Sequence, residues 1–230
     1  MPSAKLLTAG YVALATVDAV LAGRTDPTSR RLRLLTKPAL MPTLAAATHQ
    51  AAAKPGRRAA PPLTITAAQA LSWGGDVALL GRSDRSFLAG LASFYAAHLA
   101  YIAGFARRGQ RLTAAPTAGV KTAAALWLTT GPVMTFAARK ADPDLTAPVA
   151  AYATALSAML ATAARLHPGL PAQARRQVLA GAGLFMLSDS ILATQKFVLR
   201  RRVPALETAV MATYTAGQGL IALGATDLHR

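Results

Sequence analysis

Along the chain, long apolar runs alternate with short polar segments that carry cations. Residues 86–106, 145–164 and 208–226 contain no Asp, Glu, Lys or Arg, and residues 63–81, 112–138 and 178–195 contain one each, Asp76, Lys121 and Asp189. Two weaker apolar runs come first, at about 4–22 and 37–53. A hydrocarbon core of ~30 Å needs roughly 20 apolar residues of helix, so runs of this length are span-sized. Seven separators lie between them, and they carry turn residues such as Asp26-Pro27, Lys54-Pro55-Gly56, Asp142-Pro143 and His167-Pro168-Gly169. The pattern predicts an all-α fold, a polytopic integral membrane bundle of about eight transmembrane helices, forming one transmembrane helical domain over 1–230.

Composition agrees and narrows the class. Of the 230 residues 53% are hydrophobic and only 15% charged, against about a quarter charged in soluble domains. An ordinary soluble enzyme and a disordered chain are both excluded. With no Cys, disulfides and thiolate metal sites are excluded too. Lys and Arg outnumber Asp and Glu by 25 to 9, but the cations are spread in twos and threes over the separators, as in Arg107-Arg108, Arg139-Lys140 and Arg200-Arg201-Arg202. Nucleic acid would require one continuous basic face with aromatics among the cations. The pattern predicts no nucleic-acid partner and a bilayer with anionic headgroups, where each cation near the surface gains ~1 kcal/mol. Both ends of the bundle would be basic, so the positive-inside rule leaves the orientation open. The first span is expected to be retained rather than cleaved, because Lys5 is its one leading cation and Asp18 interrupts the run.

Polar residues inside spans carry the chemistry, because an ionised group at the bilayer centre costs several kcal/mol and usually faces the bundle interior. Lys196 and Glu207 fall near span ends and can snorkel, and the same reading suits Lys121. Asp18 is read as sitting at the exit of the first helix. Asp76, His98 and Asp189 remain. Ser72 and Asp76 are four apart on one helical face, beside Gly74-Gly75, which permits close approach of a neighbour. Phe94, His98 and Tyr101 share a face, Gly181, Phe185 and Asp189 form a stripe, and Tyr214 and Gln218 are again four apart. Helix–helix hydrogen bonds would explain any one of these residues. Two acids and a histidine together point to a shared polar cavity.

The ordered set Lys37-Pro38, Ser72-x-x-Gly75-Asp76, Phe87-x-x-Gly90-x-x-x-Phe94-x-x-x-His98-x-x-Tyr101 and Gly181-x-Gly183-x-Phe185-x-x-Ser188-Asp189 resembles the YhhN-type lysoplasmalogenase family, also called the transmembrane protein 86 family. The resemblance runs from about residue 34 to 218. It implies a membrane hydrolase, in a bacterial cell membrane, that cleaves the vinyl ether of a lysophospholipid substrate to a fatty aldehyde and a glycerophospho-ethanolamine or -choline. Vinyl ethers hydrolyse by protonation on carbon, and a pair of carboxylates serves related oxocarbenium chemistry in glycosidases. Asp76 and Asp189 are therefore the expected catalytic pair. Lys37, read as standing at a helix mouth, is the candidate for the lipid phosphate. Ser72, His98, Tyr101, Ser188, Tyr214 and Gln218 are expected around the substrate, with no cofactor and no metal.

Two other readings stay open. A zinc-dependent, ceramidase-like hydrolase would need several His ligands, but of four His only His98 is mid-span, while His49, His167 and His229 lie at span ends, a turn and the terminus. A transporter would show paired broken helices. Gly131-Pro132 is a candidate break in the fifth span, and no counterpart is found in another half.

Overall fold

Capping chemistry decides where several of the helices begin. In the computed structural model, which describes residues 3–53, 61–81, 83–111, 115 and 117–228, α1 (Ala4–Ala22) starts at Ser3, whose hydroxyl accepts from the Leu6 amide. Helix α2 (Pro27–Ala52) starts at Asp26, whose carboxylate accepts from the Ser29 amide at 2.8 Å, with Pro27 in the first position. Ser83 and Thr117 do the same for α4 (Asp84–Ala106) and α5 (Ala118–Ala141). Helix α3 (Leu63–Ala78) follows Pro62, and a 3₁₀ turn, Pro143–Leu145, leads into α6 (Thr146–Ala164). Helix α7 (Ala172–Ala193) widens into a π-helical turn, Thr194–Leu199, and ends at Arg200, which has φ 52°. Helix α8 (Pro204–Asp227) closes the chain. The expected cations Lys54, Arg57, Arg58 and Arg82, and His229, lie outside the described residues.

The fold is all-α, with eight helices among the described residues. Four segments are long and apolar enough to cross a membrane: α1, α4, the 3₁₀ turn with α6, and α7 with its π turn. Helix α2 departs most from expectation. The run at 37–53 is only the second half of a helix that starts at Pro27, because Pro38 and Pro42 are absorbed inside it. Lys37 consequently stands in mid-helix, not at a helix mouth. Gly131-Pro132 likewise fails to break α5, which is continuous from Ala118 to Ala141.

Neighbours in sequence pair in space: α1 with α2, α3 with α4, α5 with α6, α7 with α8; α8 then also packs on α1, and α4 on α6. One apolar cluster runs through all eight helices. Helices α7 and α8 cross in close contact, and glycine makes it possible. A Cβ on Gly181 would sit 2.6 Å from the Gly217 carbonyl oxygen, and one on Gly217 would sit 2.8 Å from that of Gly181. The two backbones therefore touch, and the residues that follow on α7 are held at a fixed height against α8.

A candidate active site at the α3, α7 and α8 junction

The sequence sets Asp76 two residues from the end of α3 and Asp189 in the last turns of α7. The bundle brings both to the wall of one cavity of about 120 Å³, lined largely by Leu, Met, Phe and Ala side chains of α3 to α8. Lys37, Ser188 and Tyr214 also line it.

Each carboxylate has its own partners. Tyr214 donates its hydroxyl to Asp76 Oδ2 at 2.7 Å, and Lys37 Nζ lies 3.6 Å from Asp76 Oδ1. Asp76 is almost wholly buried, and the cation supplies the counter-charge that a buried acid needs. Tyr152 of α6 donates to Asp189 Oδ2 at 2.5 Å. His98 Nε2 stands 3.1 Å from that hydroxyl and 3.7 Å from Asp189 Oδ2. The His98 ring is buried, and its Nδ1 has no hydrogen-bond partner among the described residues. No hydrogen bond or ion pair joins the two carboxylates directly. A chain of rings links their surroundings instead: Tyr214 meets Phe185 edge-on at 5.3 Å, and Phe185 meets His98 at 4.9 Å. Gly75 makes room for this packing, since a Cβ there would lie 2.5 Å from the Phe94 ring.

Not every expected binding residue reaches the cavity. Tyr101 donates to Gln218 Oε1 at 2.6 Å, and Gln218 Nε2 donates to Ser72 Oγ at 2.9 Å. All three are buried and do not line the cavity. Their polar atoms satisfy one another and join α3, α4 and α8, as buried polar groups must. His98 is not on the wall either, but contacts Tyr152, which is. Ser188 reaches the wall, but its hydroxyl donates to the Val210 carbonyl at 3.0 Å. Asp18 does sit one turn before the end of α1, but not in solvent. It is fully buried, accepts from Thr36 Oγ1 at 2.6 Å and pairs with Arg33 at 3.4 Å. Lys196 lies over the Phe87 ring, 3.4 Å from Asp84.

Tyr152 is the residue that sequence reasoning missed. Its signal was a lone phenol in a charge-free, Ala-rich span, the same type of signal that marked His98. As for metals, among the described residues no three His, Asp or Glu side chains gather as a ligand set.

A helical bundle with four segments long and apolar enough to cross a membrane, enclosing a largely apolar cavity lined by two partnered carboxylates, defines a multi-pass membrane protein. The family follows from comparison with known proteins. A model of the YhhN family matches residues 32–225, and the chain belongs to that family. It is similar to a human protein (Homo sapiens), lysoplasmalogenase TMEM86B, with 33% identity over 155 residues that cover 66% of this chain. The match spans 58% of the human protein, so less than two thirds of that relative is represented. No solved structure matches the chain.

Proposed function

We propose that the protein is a membrane hydrolase that splits the vinyl ether of lysoplasmalogens into a fatty aldehyde and a glycerophospho-ethanolamine or -choline. It works as one domain of eight membrane-embedded helices in a bacterial cell membrane, with Asp76 and Asp189 as its catalytic acids. One observation carries the reading: two carboxylates, Asp76 buried and Asp189 partly buried, line a single largely apolar cavity. Membership of the YhhN family and the name of the human relative support the substrate class.

The reaction adds one water. A carboxylic acid delivers a proton to the outer carbon of the double bond, and the π electrons leave an oxocarbenium ion at the carbon bearing the ether oxygen. A carboxylate faces that cation and takes a proton from the water that adds to it. The hemiacetal then collapses: its hydroxyl returns a proton to the first carboxylate, its carbon–oxygen bond to glycerol breaks, the glycerol oxygen takes the proton held by the second carboxyl, and the aldehyde leaves. Asp189 is assigned as the proton donor, because Tyr152 and His98 form a proton-carrying chain behind it. Asp76 is the anionic partner beside the fixed charge of Lys37. Water exclusion by the Leu and Met walls strengthens both interactions.

The test is incubation of the detergent-purified protein with a lysoplasmalogen and with its saturated alkyl-ether analogue. Aldehyde forms from the first and not from the second. Absence of aldehyde from the vinyl ether sinks the assignment. Treatment with a strong chelator leaves the rate unchanged if carboxylates alone do the chemistry, and abolishes it if a metal does.

A further inference from the structure

A second cavity, of about 770 Å³, lies beside the first and shares Lys37, Leu79, Phe87, Lys196 and Met211 with it. Shared walls make the two neighbours, the small one at Asp76 and Asp189 and the larger one among the α3–α4, α5–α6 and α7–α8 connections. The wall of the larger one is basic. Arg33, Lys37, Lys196, Arg200, Arg201 and Arg202 face three carboxylates, Asp84, Asp142 and Glu207.

Most of these cations already have partners. Arg33 is held by Asp18, Lys37 by Asp76, and Lys196 by Asp84. Arg200 reaches the Lys140 carbonyl, and Arg202 lies 4.0 Å from Glu207 with its side chain 74% exposed. Arg201 has no hydrogen bond or ion pair among the described residues. The arginine run follows directly on the π turn, and Arg200 takes a left-handed backbone, a conformation that non-glycine residues seldom adopt. The sequence pattern alone reads these arginines as anchors on bilayer headgroups. In the fold they line a cavity that adjoins the candidate site.

We infer that this basic vestibule binds the phosphate of the lysophospholipid headgroup, with Arg201 and Arg202 as its donors and Lys37 at the floor where vestibule meets cavity. A guanidinium fork matches phosphate geometry, and an excess of cations over acids leaves the wall positive. The glycerol backbone separates phosphate from vinyl ether by three carbons. An anchored phosphate beside Lys37, which lines both cavities, therefore directs the ether toward Asp76 and Asp189, and the apolar walls take the chain. The ligand's identity rests on the hydrolase reading given above; the charge argument does not.

The experiment measures binding rather than turnover, on the full chain in neutral detergent. The probes are an uncleavable alkyl-ether lysophosphoethanolamine and the alkylglycerol with the same chain but no phosphate. Wild type binds the phosphorylated probe about tenfold tighter or more, and the double variant Arg201→Gln/Arg202→Gln narrows the ratio to below roughly threefold while its affinity for alkylglycerol stays the same. Both side chains are exposed, so the variant keeps its fold, and the unchanged alkylglycerol affinity reports this. Equal affinities in wild type, or an undiminished ratio in the variant, overturn the proposal. Inorganic phosphate is the third probe; if it binds as tightly as the lipid, the site belongs to a free anion and the headgroup assignment falls. Loss of aldehyde production with phosphate discrimination intact sinks the reaction and leaves the vestibule.

Discussion

Replacing Tyr152 with Phe tests the wiring of the Asp189 side of the site. The substitution removes one oxygen and keeps the ring, so the 5.1 Å contact with the His98 ring survives. Two interactions disappear: the 2.5 Å donation to Asp189 and the 3.1 Å contact with His98 Nε2. His98 Nδ1 has no partner among the described residues, so the variant leaves both ring nitrogens of a buried imidazole without a hydroxyl partner. A hydrogen bond to a charged group contributes ~1.5–3 kcal/mol. If that energy acts in the transition state, kcat/KM for aldehyde release falls roughly ten- to a hundredfold. The assay follows aldehyde from a lysoplasmalogen with a coupled dehydrogenase, alongside thermal unfolding in the same detergent. A purely structural role would lower Tm and leave kcat per folded molecule intact. A variant that keeps more than half of wild-type kcat/KM refutes the proton-carrying chain.

Asp76→Asn and Asp189→Asn should each retain the fold and lose about a hundredfold or more in aldehyde release, the scale of a lost acid or base; full activity in either removes that residue from the chemistry. Gly181→Leu should lower Tm by the equivalent of ~1–3 kcal/mol through overpacking of the α7–α8 crossing, checked by thermal unfolding, because even a Cβ there meets the Gly217 carbonyl at 2.6 Å. The Asp26 carboxyl is held below its ordinary value of 3.8 by hydrogen bonds from the Ser29 side chain and backbone. Its folded form is thus the better acid, so its stabilising effect is full above the ordinary value and disappears as pH falls through the folded one. Between pH 6 and pH 3, Asp26→Asn should lose less Tm than wild type; equal losses would show that the α2 cap is not acid-sensitive.

Much of the architecture was readable from the chain because it is local. Apolar runs of span length, separated by cations and turn residues, gave the eight helices, and the cost of burying charge singled out Asp76, His98 and Asp189 before any contact was known. Register across helices is not local, and there the pattern misled. Pro38 reads as a helix start, yet α2 runs through it, so Lys37 becomes the counter-ion of Asp76 rather than an interfacial residue. Tyr101, Gln218 and Ser72 have the spacing of a binding face, but three helices converge on them and consume their hydrogen bonds.

The sequence by itself determined that the chain is helical, that much of it is apolar enough for a bilayer, and that a few ionisable groups stand where only a bundle interior accepts them. The tertiary structure decided who partners whom. Whether Asp189 finds Tyr152, or the arginines after the π turn line a cavity beside it, depends on how far each helix slides and turns against its neighbours. The Gly181–Gly217 contact helps set that register between residues far apart in the chain, and no spacing along one helix encodes the height of another.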